Sequence, residues 1–347
     1  MNNRTSLACS FLVGFLAFLP SSIVNASTCD AYDAGVQVGT IEDETLDETS
    51  GVVASQINAG LYWTHNDSGS GPEVYAITES GDVEATVSVT GAVALDWEDI
   101  ALGPCEEACA CLYIADIGDN QEARPEVTVY RVPEPLVGEG LGSTEAAAEL
   151  VFRYPDGPHN AETLLVDPRD GSLFVVTKSS TGISGVYRYP GEAPDGSVVV
   201  LEKVAEISVQ GEDPDDVYAT GGDVSPDGSR LVIRTLRHAQ EYVIPEGAAL
   251  ETAFDAEPLV FDLPDSSQGE AIAYEADGQA LLTLSENVPS PIHEVSCVSG
   301  DAFAEPVEAL ATVCDDAGGC QSPKGRALVV PGIVAFVFLG LSRRRVF

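Results

Sequence analysis

Apolar residues along this chain fall in short runs, and almost no stretch carries the spacing of a helix face. The runs LYIAD (112–116), VTVYRV (127–132) and AELVFRY (148–154) read as strands, as do LFVVT (173–177), GVYRY (185–189) and VVVLEKVAEISV (198–209). LVIRT (231–235), EYVIP (241–245) and PLVFDL (258–263) continue the series. Gly, Pro, Asn and Asp stand between them, as turn residues do. Four such strands follow one another before the pattern starts again.

The restart is visible as a repeat. ETLLVDPRDGSLFVV begins at Glu162, TGGDVSPDGSRLVIR at Thr220 and EAIAYEADGQALLTL at Glu270. EDIALGPCEEACACLYIAD begins at Glu98 with a cysteine insertion at the turn, and SGVVASQINAGLYWT begins at Ser50. Successive starts are 48, 64, 58 and 50 residues apart. Repeats of this length made of four strands predict an all-β chain folded as a β-propeller of four-stranded blades. Five blades use nearly all of residues 50–313, with six as the alternative if the two longer intervals hold another arrangement. Residues 29–41 supply a strand to the last blade, and a Cys29–Cys297 bridge would clamp that closure.

The propeller reading brings distant residues together. The innermost strand of each blade starts at one mouth of the channel, and the second strand ends there. Ser50, Glu98, Glu162, Thr220 and Glu270 therefore share a face with His65, Asn66, Asp67, Asp116, Asp119, Lys178, Arg234 and Glu286. Three glutamates near one axis repel unless protonated or bound to a cation. A Ca²⁺ ion is expected there, with Glu98, Glu162 and Glu270 as ligands and Asp116 and Asp119 as further ones. His65, Lys178 and Arg234 are the candidates for catalytic work. His65 reads first as a hydrogen-bonded structural residue, and Trp97, between Asp96 and Glu98, reads first as packing between blades.

Charge and the chain ends narrow the setting. The chain has 56 acidic and 16 basic residues, a net charge of −40. Six of the basic residues lie in the ends, and Lys178 and Lys203 are the lysines between them. Such a surface excludes nucleic acid and anionic membranes as partners. Residues 1–26 read as a secretory signal peptide: Arg4, an apolar run from Leu7 to Pro20, and VNA before Ser27. The propeller domain is then placed at 27–314. Residues 315–347 end in an apolar stretch, Ala327 to Leu341, followed by Arg343, Arg344 and Arg345. That segment resembles the tripartite C-terminal sorting tags of bacterial surface proteins, with Gly318-Gly319-Cys320 where a sorting protease would act. It implies an exported protein at the bacterial cell surface or outside, touching membrane only through this tail. An oxidising compartment favours disulfides over zinc at CEEACAC, with Cys105 paired to Cys109 or Cys111.

The strings WEDIA, DIGDN, AETLLVD, SPDG and QGEAIAY resemble secreted bacterial propellers of the phytase-like or esterase-like type, over roughly residues 50–296. The resemblance implies a Ca²⁺-dependent acidic channel. Few cations are placed to hold phosphate, and no G-x-S-x-G elbow occurs. The first expectation is thus a propeller that binds a small-molecule or surface ligand at its polar mouth. The alternative is a Ca²⁺-dependent hydrolase of phosphate esters, esters or lactones, and the third a structural or adhesive module.

Overall fold

A computed structural model describes residues 28–105, 108, 110–138, 140–191, 198–209 and 216–300. The segments read as signal peptide and sorting tag, and Cys109, lie outside the described residues.

Five antiparallel sheets form a five-bladed propeller. Blade 1 holds Thr49–Ala54, Leu61–Asn66, Glu73–Thr78 and Val83–Ser88. Blade 2 holds Trp97–Gly103, Cys111–Asp116, Val127–Pro133 and Ala148–Arg153. Blade 3 holds Ala161–Val166, Leu173–Thr177, Ile183–Arg188 and Glu202–Ser208. Blade 4 holds Gly221–Val224, Arg230–Arg234, His238–Val243 and Leu259–Asp262. Blade 5 holds Gly269–Tyr274, Ala280–Ser285 and Ser290–Ser299. Its outer edge comes from the other end of the chain: Ala31–Tyr32 and Val36–Ile41 both pair with Ser290–Ser299. The Cys29–Cys297 disulfide ties the same junction. The ring closes as the sequence predicts.

The two-residue period of the strands builds the ring. In Leu173–Thr177, Leu173 and Val175 pack toward blade 2, while Phe174 and Val176 pack toward blade 4. An inner or second strand buried on both faces must be apolar at nearly every position, which is why these runs do not alternate. Five apolar clusters result, one at each boundary between neighbouring blades. The Asp-Gly turns of the repeat carry Gly171, Gly228 and Gly278 at φ of 79°, 68° and 72°, a left-handed conformation open to glycine.

Two details depart from the sequence reading. The stretch 198–209 is not one strand. Val199–Val200 runs parallel to Ala148–Arg153 as a fifth strand of blade 2, and only Glu202–Ser208 completes blade 3. The third strand of blade 4 begins at His238 rather than at residue 241. Among the described residues, no helix is long and apolar enough to cross a membrane.

Candidate functional site

The inner strands enter their sheets at one end of the ring, and in four of the five blades the ladder slips by one residue there. Trp97 pairs with Asp116 and Asp99 with Ala115, leaving Glu98 unopposed. Ala161 and Thr163 pair with Thr177 and Val176, leaving Glu162. Gly269 and Ala271 pair with Ser285 and Leu284, leaving Glu270. A bulge re-aims its extra side chain out of the strand's alternation. The three glutamates predicted to meet are thus all bulge residues. Blade 1 slips at Ser50 and Gly51, while Gly221 and Gly222 of blade 4 pair in register.

The glutamates are buried, with exposures of 4% for Glu98, 4% for Glu162 and 7% for Glu270. Burial, then the charge of Glu162, holds the Glu98 carboxyl well above the usual range. Burial pushes Glu270 up to about 8, with Glu162 adding to the rise and Lys178 opposing it. Glu162 is also raised by burial, against the pull of the Lys178 ammonium, which pairs with its Oε1. Its second oxygen, Oε2, is buried without a hydrogen-bond partner.

Beside them stands the tightest carboxylate group among the described residues. Asp67, Asp96 and Glu98 each place an oxygen within 4.8 Å of the others. Asp67 directly follows the second strand of blade 1, and Asp96 ends the connection from blade 1 to blade 2. Burial, then the charge of Asp96, pushes Asp67 up to about 7. Its Oδ1 is buried with no hydrogen-bond partner. Gly118 forms the wall: a Cβ there would lie 2.1 Å from Glu98 Oε1 and 2.5 Å from Asp96 Oδ2. The donors are all carboxylate oxygens, a set that suits a hard divalent cation of the Ca²⁺ kind.

The other predicted residues have different surroundings. Asp116 and Asp119 belong to a clamp around Arg124. Asp116 Oδ1 lies 2.7 Å from the guanidinium, and Asp119 Oδ2 accepts the Arg124 backbone N–H at 2.6 Å. Arg124 also donates to the Gly118 carbonyl at 2.7 Å. These aspartates hold the DIGDN loop in shape under the carboxylate triad. Arg234 is fully buried and donates to the carbonyls of Thr235, Ala271, Leu284 and Leu236. It staples blade 4 to blade 5, and burial lowers its pKa to about 10. His65 is fully buried, edge-on to Trp97 at 5.8 Å, with its Nδ1 2.9 Å from the Asn66 carbonyl oxygen. Burial pushes it down to about 4, so it is a neutral ring at physiological pH. Trp97 is packing: it is wholly buried and donates from Nε1 to the Val93 carbonyl. Lys178 keeps 24% of its side chain exposed, and its Nζ stands 5.8 Å from the centre of the Tyr218 ring.

Sequence reasoning placed Asp67 at the mouth without choosing it as a ligand, and named Asp96 only as a neighbour of Trp97. The signal was present in HND and DWED, but the path of the blade connection decides which carboxylates approach. A surface groove lined by Gln37, Thr40, Glu42, Ser80 and Asp82 lies at the ring closure.

No family model matches the chain, and no curated protein matches it. Among solved structures, the chain is similar to the soluble aldose sugar dehydrogenase of Escherichia coli in its apo form. That match has 11% identity and a TM-score of 0.43, covering 77% of this chain and 100% of that one. It is similar to a glucose dehydrogenase at 10% identity and a TM-score of 0.43, covering 76% of this chain and 99% of that one.

Proposed function

We propose that this chain is an exported propeller that binds a divalent cation of the Ca²⁺ class at its acidic mouth and, through that ion, a ligand from outside. The observation that carries the reading is the convergence of Asp67, Asp96 and Glu98 on one spot. Carboxylates so close repel one another, and the surrounding protein supplies Asp67 Oδ1 with no donor. A cation relieves both. The disulfides Cys29–Cys297 and Cys105–Cys111 suit an oxidising, extracellular setting, where Ca²⁺ is plentiful.

The test is a thermal melt of the purified protein in EDTA and in millimolar Ca²⁺. At a hundredfold excess over Kd, an ion bound only by the folded state adds about 2.7 kcal/mol. For a chain of this size that corresponds to a rise of roughly 5–10 °C. Glu98→Gln should remove the rise. A melt indifferent to both Ca²⁺ and EDTA would sink the proposal.

A second reading has one observation in its favour: the part-exposed Lys178 ammonium stands beside the carboxylates. A cation there could supply an activated water for hydrolysis of an ester or phosphate ester. Ca²⁺-dependent release of phosphate or p-nitrophenol would separate this from binding alone.

A further inference from the structure

We propose that Lys178 is a built-in counter-ion: its ammonium stands where a second divalent cation would otherwise bind among Glu162, Glu98 and Glu270, and so limits the mouth to a single ion. The inference rests on the cation reading above and concerns the other half of the same mouth.

Three blades send a bulge glutamate to this end of the ring. Burial opposes the charge on the Lys178 ammonium, and the negative charges of Glu162, Glu270 and Glu98 outweigh it. Direct contact is made with Glu162 Oε1 alone. The partner oxygen, Glu162 Oε2, is buried and accepts nothing, on a residue only 4% exposed. One single-point charge with three donors thus faces more acceptor capacity than it uses. Glu286, at the end of the second strand of blade 5, adds further negative charge to Glu162 and Glu270. The neighbouring guanidinium groups are committed elsewhere, Arg124 to Asp116 and the Gly118 carbonyl, Arg234 to backbone carbonyls. Beyond protonation, which burial favours at Glu270, neutralisation here falls to Lys178 or to an ion from solution. A lysine tethered through its own chain loses no translational freedom on binding, whereas a free cation must. The tethered charge prevails while it is present.

The lysine also explains the division of the mouth. Asp67, Asp96 and Glu98 approach one another closely, and the direct ion pair of Lys178 is with Glu162. The Glu162 side is held by the ammonium, which lies over the Tyr218 ring. One half is left for an ion, and the other carries its own.

The experiment is equilibrium dialysis of the purified full chain against Ca²⁺, with bound metal counted per chain. Wild type should hold one ion. Lys178→Met should hold two, and Lys178→Arg, which keeps the charge, should hold one. Combining Lys178→Met with Glu162→Gln should return the count to one. If Lys178→Met does not fold, Lys178→Gln, which keeps a donor for Glu162 but not the charge, should bind two. One ion in wild type and still one in the neutral variants would overturn the role of the lysine while leaving the cation reading intact. No ion in wild type would overturn the cation reading itself, and this inference with it.

Discussion

At the scale of single residues, the mouth depends on an atom that is missing. Gly118 leaves room for the Glu98 and Asp96 carboxylates, which a Cβ would meet at 2.1 and 2.5 Å. Both distances lie far inside van der Waals contact, so the carboxylates would have to move. The backbone at Gly118 could not give way instead, because the DIGDN loop is fastened by Arg124 and by the bond from the Asp119 N–H to Asn160. We expect Gly118→Ala to weaken Ca²⁺ binding at least tenfold, about 1.4 kcal/mol. In EDTA the melting temperature should change little. Calorimetric titration beside melts reads both, and a variant with wild-type affinity would show that Glu98 and Asp96 are not the ligands.

At the scale of elements, the two disulfides do different work. Cys105–Cys111 closes a separation of 6 residues at the turn between the first two strands of blade 2, away from the mouth. Cys29–Cys297 closes a separation of 268 residues and joins the first strand to the last blade. Loop entropy assigns about 2 kcal/mol to the first and about 5.6 kcal/mol to the second. Replacing Cys105 and Cys111 by Ser should lower the melting temperature by a few degrees and leave Ca²⁺ affinity unchanged. Replacing Cys29 and Cys297 by Ser should lower it more, because the sheet edge at Ser290–Ser299 then depends on hydrogen bonds and packing alone. Equal losses in the two variants would contradict the closure role.

For the whole molecule, the balance of buried acids sets a pH dependence. Asp223, wholly within the ring, accepts the backbone N–H groups of Tyr274 and Val224 at 2.9 and 2.8 Å. Burial pushes its pKa up to about 7. Unfolded, an aspartate releases its proton near pH 4. The folded state therefore holds a proton that the unfolded chain gives up, and the stability this confers, complete below about pH 4, is lost as pH rises to 7. In EDTA the melting temperature of the wild type should fall across that interval. Asp223→Asn, neutral throughout, should remove a few kcal/mol of the slope. A variant with the wild-type slope would place the linked proton elsewhere. The net charge of −40 should make the protein more stable in salt at neutral pH, since counter-ions screen the repulsion.

Much of this molecule follows from its sequence alone. The apolar runs and Asp-Gly turns determine strand after strand, and the repeat of four determines blades. The starts at Ser50, Glu98, Glu162, Thr220 and Glu270 count five of them. The convergence of three glutamates follows from the same repeat, since a ring brings equivalent positions together whatever their separation along the chain. Other features arise only from the folded ring. A one-residue ladder slip leaves no mark in apolar periodicity, yet it aims Glu98, Glu162 and Glu270. Whether a polar residue ends at solvent, at a backbone carbonyl or at another charge depends on neighbours brought in from other blades. So Arg234 became a staple, Asp116 and Asp119 a clamp, and His65 a buried neutral ring. Asp67 and Asp96, unmarked by the repeat, came to stand beside Glu98 because the connection between blades 1 and 2 passes over the mouth there.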